Sequence, residues 1–226
     1  SIKLKTMPAV KWLEVQFPPV FIEEINQYID DVVIPNNKDY SDKLVGQLKG
    51  EKSAQLDFPL KGHETGEQFK KVLENLGKSF VQKPYNRMSS VECFECWTVH
   101  SYEGDYNPMH DHGVRTQSGL SCILYLKVPD SIKNKPQVEV PNLNHASGVI
   151  DGWTQFQWGA NTMKDIYQLR EQTQHVVRPV EGKLLMFPCW LNHMVWPFKG
   201  EGERRTLSAN FNIHDSPEVT KQFAER

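Results

Sequence analysis

The second half of this chain is a succession of short β-branched or aromatic runs, and that periodicity constrains the fold more than any other feature. VECFECWTVHSY, LSCILYLKVP, WTQFQWG, HVVRPV, KLLMFP and RTLSANFNI follow one another from about residue 90, separated by Gly, Pro, Asn and Asp. Runs of this length bounded by turn residues read as strands. No helical pattern alternates with them, so the crossovers of a parallel sheet are missing. The expected fold is mainly β with flanking helices (α+β), its antiparallel strands closing as a jelly roll or barrel. Pro129 to Asn144 (PDSIKNKPQVEVPNLN) reads as a long loop.

Ahead of the strands, apolar residues recur at helical spacing. One helix enters at Phe17-Pro18-Pro19, places Phe21, Ile25, Ile29 and Val32 on one face, and ends at Pro35-Asn36-Asn37. Another runs from about Glu64 to Phe80 with Phe69, Val72, Leu73, Leu76 and Phe80 on its stripe. A chain of 226 residues can bury one sizeable core. The expected organisation is a single domain over 1–226, in which a helical and extended region (1–88) packs on a jelly-roll core (89–215).

Lys and Arg number 26 against 28 Asp and Glu, so there is no basic excess to hold a phosphate backbone, and nucleic acid is not an expected partner. The longest uncharged stretch, Leu184 to Phe198, contains Pro188, Asn192, His193 and Pro197 and falls short of the ~20 apolar residues of a membrane helix. The beginning, SIKLKTMPAVKW, lacks the apolar core of a secretory signal. A soluble, cytoplasmic protein without a membrane partner is expected. Cys93 and Cys96 lie in a strand-like run, away from any helix start that would stabilise a thiolate, so buried reduced thiols are expected.

The segment Gly104 to Gly113 (GDYNPMHDHG) carries the strongest chemical signal. Residues two apart on a strand share a side, which lets His110 and His112 face one metal ion while Asp111 points away. His193, after the apolar run KLLMF, is the candidate third ligand. Three ligands on one face leave positions open for a substrate or cofactor and oxygen. The common version has two histidines and one carboxylate, so either the set is three histidines, which is favoured, or Asp111 turns inward from an irregular strand. His63, His100, His145, His175 and His214 lack companions at ligand spacing and read as surface or hydrogen-bonded groups.

Alternation along Glu203 to Asn212 puts Arg204, Thr206, Ser208 and Asn210 on one face and Arg205, Leu207, Ala209 and Phe211 on the other. A polar face turned into a barrel and headed by arginine needs an anionic occupant, which a guanidinium fork meets as a carboxylate. In the opposite orientation the apolar face forms the core and the polar face meets water.

Taken together, NPMHDHG, GLSCILYL, EGKLLMFPCWLNHMVWPF and ERRTLSAN resemble the iron(II)/2-oxoglutarate oxygenases related to prolyl hydroxylases, particularly the group of tailed phages and bacteria. The resemblance spans about Val91 to Asn212. It implies a double-stranded β-helix, Fe(II) held by His110, His112 and His193, and 2-oxoglutarate as a small-molecule cosubstrate. Arg204 falls where the family pairs the distal carboxylate, with Arg205 a competitor one register step away. Tyr125 falls where prolyl hydroxylases place a tyrosine on that carboxylate, and Thr206 and Ser208 continue the cosubstrate-binding row. The chain departs from the family at His112, where Asp or Glu is usual. The implied activity is hydroxylation of a peptide, protein or amino-acid side chain, with the Pro129–Asn144 loop and the Trp153–Trp158 strand touching substrate; homo-oligomerisation stays open.

Two other readings compete. Gly104 ahead of H-x-H, and Gly182 ahead of Pro188 and His193, imitate a cupin dioxygenase that does without 2-oxoglutarate, although Trp190 stands where its turn glycine belongs. A non-enzymatic jelly-roll module would use Trp153, Phe156, Trp158, Trp190 and Trp196 as a ligand platform.

Overall fold

The computed structural model describes residues 10–85, 88–113, 119–134, 149–159, 169 and 172–225. Among them are strands β1 (Leu13–Gln16), β2 (Ala54–Asp57), β3 (Ser89–Ser101), β4 (Asn107–His110), β5 (Gly119–Lys127), β6 (Thr154–Gln157), β7 (Gln174–Val177), β8 (Lys183–Pro188), β9 (Asn192–Val195) and β10 (Arg204–Asp215). They form two antiparallel sheets, ordered β1-β8-β5-β10-β3-β2 and β4-β9-β6-β7. Helices α1 (Pro19–Tyr28), α2 (Ile34–Asn36), α3 (Glu64–Tyr85), α4 (Asp130–Lys133) and α5 (Pro217–Ala224) complete the fold.

The runs GLSCILYLK and KLLMFP are apolar at almost every position because their strands are covered on both faces. Cys122, Leu124 and Leu126 of β5 and Leu184 and Met186 of β8 pack with Ile25, Leu73 and Phe80 of α1 and α3. Ile123 and Tyr125 of β5 and Leu185 and Phe187 of β8 point the other way, into a second core with Phe156, Leu191 and Phe198. The large sheet is therefore a central layer, with helices behind it and the small sheet in front.

Several sequence expectations are corrected. The helix begun by α1 passes through a wider π-helical turn, Ile29–Val33, before α2, which buries Val33 in the core beside Ile22, Ile25 and Ile29 while Val32 packs partly buried against it. Residues 1–88 also supply β1 and β2, the two edges of the large sheet. The supposed loop from Pro129 begins with the helical turn α4, and its residues 135–144, like His145, lie outside the described residues. The C-x-x-C pair defeats simple alternation through a bulge: Phe211 pairs with Cys93 and Asn210 with Glu95, so Phe94 is the extra residue and Cys93 and Cys96 both reach the core. All four cysteines are buried free thiols, and burial pushes Cys93 up to about 12. Gly182, part of the cupin-like spacing, has φ 86°, and a Cβ there would lie 2.7 Å from the Phe17 carbonyl, so it serves the β1–β8 junction.

A buried polar knot ties α1 to the start of β10. Arg205 donates to Glu203 Oε1 (2.8 Å), Asp30 Oδ1 (2.8 Å) and Asn26 Oδ1 (3.1 Å), and His100 Nδ1 lies 2.6 Å from Glu203 Oε1. Burial opposes ionisation of Glu203, but the hydrogen bonds from His100 and Arg205 and the guanidinium charge outweigh it and bring the carboxyl to about 2. The unfolded chain titrates this group near 4.5. Its stabilisation is therefore present above that pH and lost as pH falls toward 2, and amounts to about 3 kcal/mol at neutrality. Glu203→Gln should cost about that much in urea unfolding at pH 7, with the gap to the parent less than half as large at pH 3. A gap that does not change with pH would show that the carboxylate's charge is not what holds the knot.

Candidate metal and cosubstrate site

β4 and β9 pair so that His110 stands directly opposite His193, with a register irregularity between Asn107 and His110. His112 lies beyond the end of β4, not on the strand, and its backbone N–H donates to the Cys189 carbonyl (2.9 Å). The i, i+2 rule is therefore not what brings the two rings together: a turn, held by the β8–β9 connection, brings His112 round. Ring centroids are 4.3 Å (His110–His193), 4.9 Å (His112–His193) and 5.2 Å (His110–His112), and the three candidate donor nitrogens lie within 4.8 Å of one another. The Asp111 side chain is exposed and accepts from Gly113 N–H at 3.0 Å.

Each imidazole faces an acceptor at Nδ1. His110 meets Pro108 O at 2.6 Å, His193 meets Leu191 O at 3.0 Å, and His112 meets Asn210 Oδ1 at 2.7 Å. These bonds place the proton on Nδ1 and the lone pair on Nε2, the state a metal requires. Burial, helped by the two neighbouring rings, pulls His193 well below the usual histidine range, and burial also lowers His110. A neutral, ligand-competent form follows for both.

On the inner face of the large sheet, Arg204, Thr206, Ser208 and Asn210 of β10 line the same cavity as the three histidines, a space of about 280 Å³. Both orientations considered from sequence are half right. The apolar face of β10 does enter a core, and the polar face is buried as well, because a second sheet stands in front of it.

Arg204 is 2% exposed. Its Nε donates to Gly152 O (2.9 Å), its guanidinium carbon lies 5.5 Å from the Tyr125 ring centre, and its buried Nη2 has no hydrogen-bond partner among the described residues. Burial lowers its pKa, the Tyr125 hydroxyl opposing. Arg205 faces α1 and is engaged in the polar knot. Tyr125 lies under Arg204 with its hydroxyl donated to Thr154 Oγ1 (2.7 Å), and it is not part of the cavity wall.

Sequence reasoning missed the segment Lys43–Gly46 and Gln55, which close one side of the cavity, and Asn107 on β4. No spacing rule links residues so far apart in the chain. Of the aromatic platform, Trp153 and Phe156 are buried, Trp158 and Trp196 pack against the second core, and Trp190 is exposed. Of the remaining histidines, His100 is buried on Glu203 and Thr98, His175 stacks on Trp12, His214 meets Glu92, and His63 sits edge-on to Tyr28.

The family described as "Putative 2OG-Fe(II) oxygenase" matches residues 95–210, more than half of the chain. The chain belongs to this oxygenase family. It is accordingly a 2-oxoglutarate-dependent non-haem iron oxygenase, which decides against both a cupin that does without 2-oxoglutarate and a non-enzymatic module. Similar solved structures include a Pseudomonas putida prolyl-4-hydroxylase, at 14% identity and TM-score 0.56 over 92% of this chain and 94% of that one. Another is the collagen prolyl hydroxylase of Paramecium Bursaria Chlorella virus-1, at 15% and 0.51 over 88% and 94%. HygX from Streptomyces hygroscopicus, with nickel and 2-oxoglutarate bound, aligns at 11% and 0.55 over 89% and 82%. At such identities the likeness is one of fold, and it identifies the oxygenase's two sheets as a double-stranded β-helix. No curated protein matches the oxygenase by sequence. No helix among its described residues is long and apolar enough to cross a membrane.

Proposed function

We propose that this oxygenase holds Fe(II) through Nε2 of His110, His112 and His193 and seats the distal carboxylate of 2-oxoglutarate on Arg204. Thr206 and Ser208 extend the cosubstrate wall, and the Tyr125 ring props the guanidinium from below. The observation that carries this reading is Arg204 itself. A fully buried guanidinium with an unpaired N–H, in the cavity that also receives three imidazoles, calls for a small anion that can reach both. Charge is consistent with this, since three neutral ligands leave iron at +2, which a dianionic chelator cancels.

Bound together, iron and 2-oxoglutarate would let dioxygen act as the oxidant, one oxygen atom going into the alcohol made from a C–H bond and the other into succinate as 2-oxoglutarate gives up two electrons and CO2. The chain's part is to orient and to exclude water. Ile123, Val99, Val195 and Trp97 give the cavity apolar walls, and Lys43–Gly46 draws the N-terminal region into the same catalytic unit. The proposed substrate is a peptidyl or amino-acid side chain, supported by the prolyl hydroxylases among the similar folds.

Anaerobic calorimetry tests the assignment. One equivalent of Fe(II) should bind, and 2-oxoglutarate should bind only to the metal-loaded protein, followed in air by slow conversion to succinate without substrate. Cosubstrate binding that ignores the metal would overturn it.

A further inference from the structure

The His112 position is secured differently from the other two. His110 and His193 are locked by backbone carbonyls, which cannot change character. His112 instead leans on a side-chain amide, and an amide can flip to present either oxygen or NH₂. The row behind it decides which. Ser121 of β5, Asn210 of β10 and Glu95 of β3 are direct cross-strand neighbours. Asn210 Nδ2 lies 2.6 Å from Glu95 Oε1, and the same carboxylate receives the Tyr40 hydroxyl. Asn210 Oδ1 receives Ser121 Oγ at 2.7 Å and His112 Nδ1 at 2.7 Å.

We propose that Glu95 and Asn210 are positioning residues that fix the tautomer of His112 and lend the site the negative charge its all-imidazole ligand set lacks. This inference rests on the ligand set proposed above. The logic runs outward to inward. A carboxylate only accepts, so Asn210 must turn its NH₂ toward Glu95 and its oxygen toward the imidazole. That oxygen only accepts, so the His112 proton must sit on Nδ1 and the lone pair on Nε2, toward the metal. The negative charge also polarises the amide, which makes Oδ1 a stronger acceptor and the imidazole a stronger donor to the metal. Glu95 keeps step with Trp97 and Val99, which line the cavity, so regular alternation along β3 puts it on the Asn210 side, and the bulge at Phe94 lies beyond it and returns Cys93 to the core face.

Cobalt(II) titrated anaerobically into the whole protein reads this directly, through its dissociation constant and its ligand-field spectrum. Glu95→Gln keeps the shape but offers Asn210 an amide that can itself flip. It should weaken Co(II) binding roughly 10-fold, at the lower end of the effect of outer hydrogen-bond partners, and should alter the spectrum. Moving the carboxylate one step inward, in the double variant Asn210→Asp with Glu95→Gln, should restore affinity to within about threefold of the parent. Thermal unfolding of each apo variant confirms that it is folded. Because Asn210→Ala would open a hole in β10, the isosteric Glu95→Gln carries the decision. A folded Glu95→Gln protein with parental affinity and spectrum overturns the relay. His112→Ala separates the two readings. If it alone loses cobalt affinity, the relay fails and the ligand set stands, whereas if it too binds like the parent, both fall.

Discussion

His193→Ala abolishes stoichiometric metal binding, with the dissociation constant for Fe(II) raised by more than ~100-fold, beyond the range that outer partners reach. The expectation follows from where this ring sits. His193 is 3% exposed, directly opposite His110, with Nδ1 tied to Leu191 and with Phe187 and Phe156 beside the ring. Among the described residues no carboxylate belongs to the convergent group, and Asp111, at the cavity's edge, is exposed and engaged by Gly113 N–H, so none is placed to take over the vacated position. The two imidazoles that remain form an incomplete face. Anaerobic calorimetry with Fe(II) measures the loss, and circular dichroism shows whether the apo fold persists. Binding at parental affinity would mean that the ion, if any, sits elsewhere.

Arg204→Met should separate stability from function. Cosubstrate affinity should fall by the 2–5 kcal/mol typical of removing one partner from a buried charged hydrogen bond, or roughly 30- to several-thousand-fold, with Fe(II) affinity nearly unchanged. The apo protein should gain or hold stability, because the variant removes a desolvated guanidinium carrying an unsatisfied N–H and replaces it with an apolar chain of similar length. Each kcal/mol gained would raise Tm by about 2–4 °C in a domain of this size. Calorimetry with 2-oxoglutarate on the metal-loaded variant and thermal unfolding of the apo form test both halves. Retained cosubstrate affinity would remove Arg204 as the anchor. Arg205 is a poor substitute, since its three nitrogens are already committed to Glu203, Asp30 and Asn26.

Residue types and local periodicity carried much of this architecture. The apolar stripes marked α1 and α3, doubly apolar runs marked strands covered on both sides, and period-2 alternation placed Arg204, Thr206, Ser208 and Asn210 on one face. H-x-H and a later histidine named the three rings that converge. These properties are local: helix and strand geometry repeats over a few residues, so a few residues suffice to state it. What the chain alone left undecided were the long-range choices. The direction of the polar face of β10 depended on a second sheet arriving in front of it. The choice between Arg204 and Arg205 depended on which side of that strand α1 packs. The meeting of His110 with His193, the pairing of Glu95 with Asn210, and the closure by Lys43–Gly46 all depend on register between segments far apart in sequence. Register is set by the summed packing of both cores, and only the folded arrangement contains that sum.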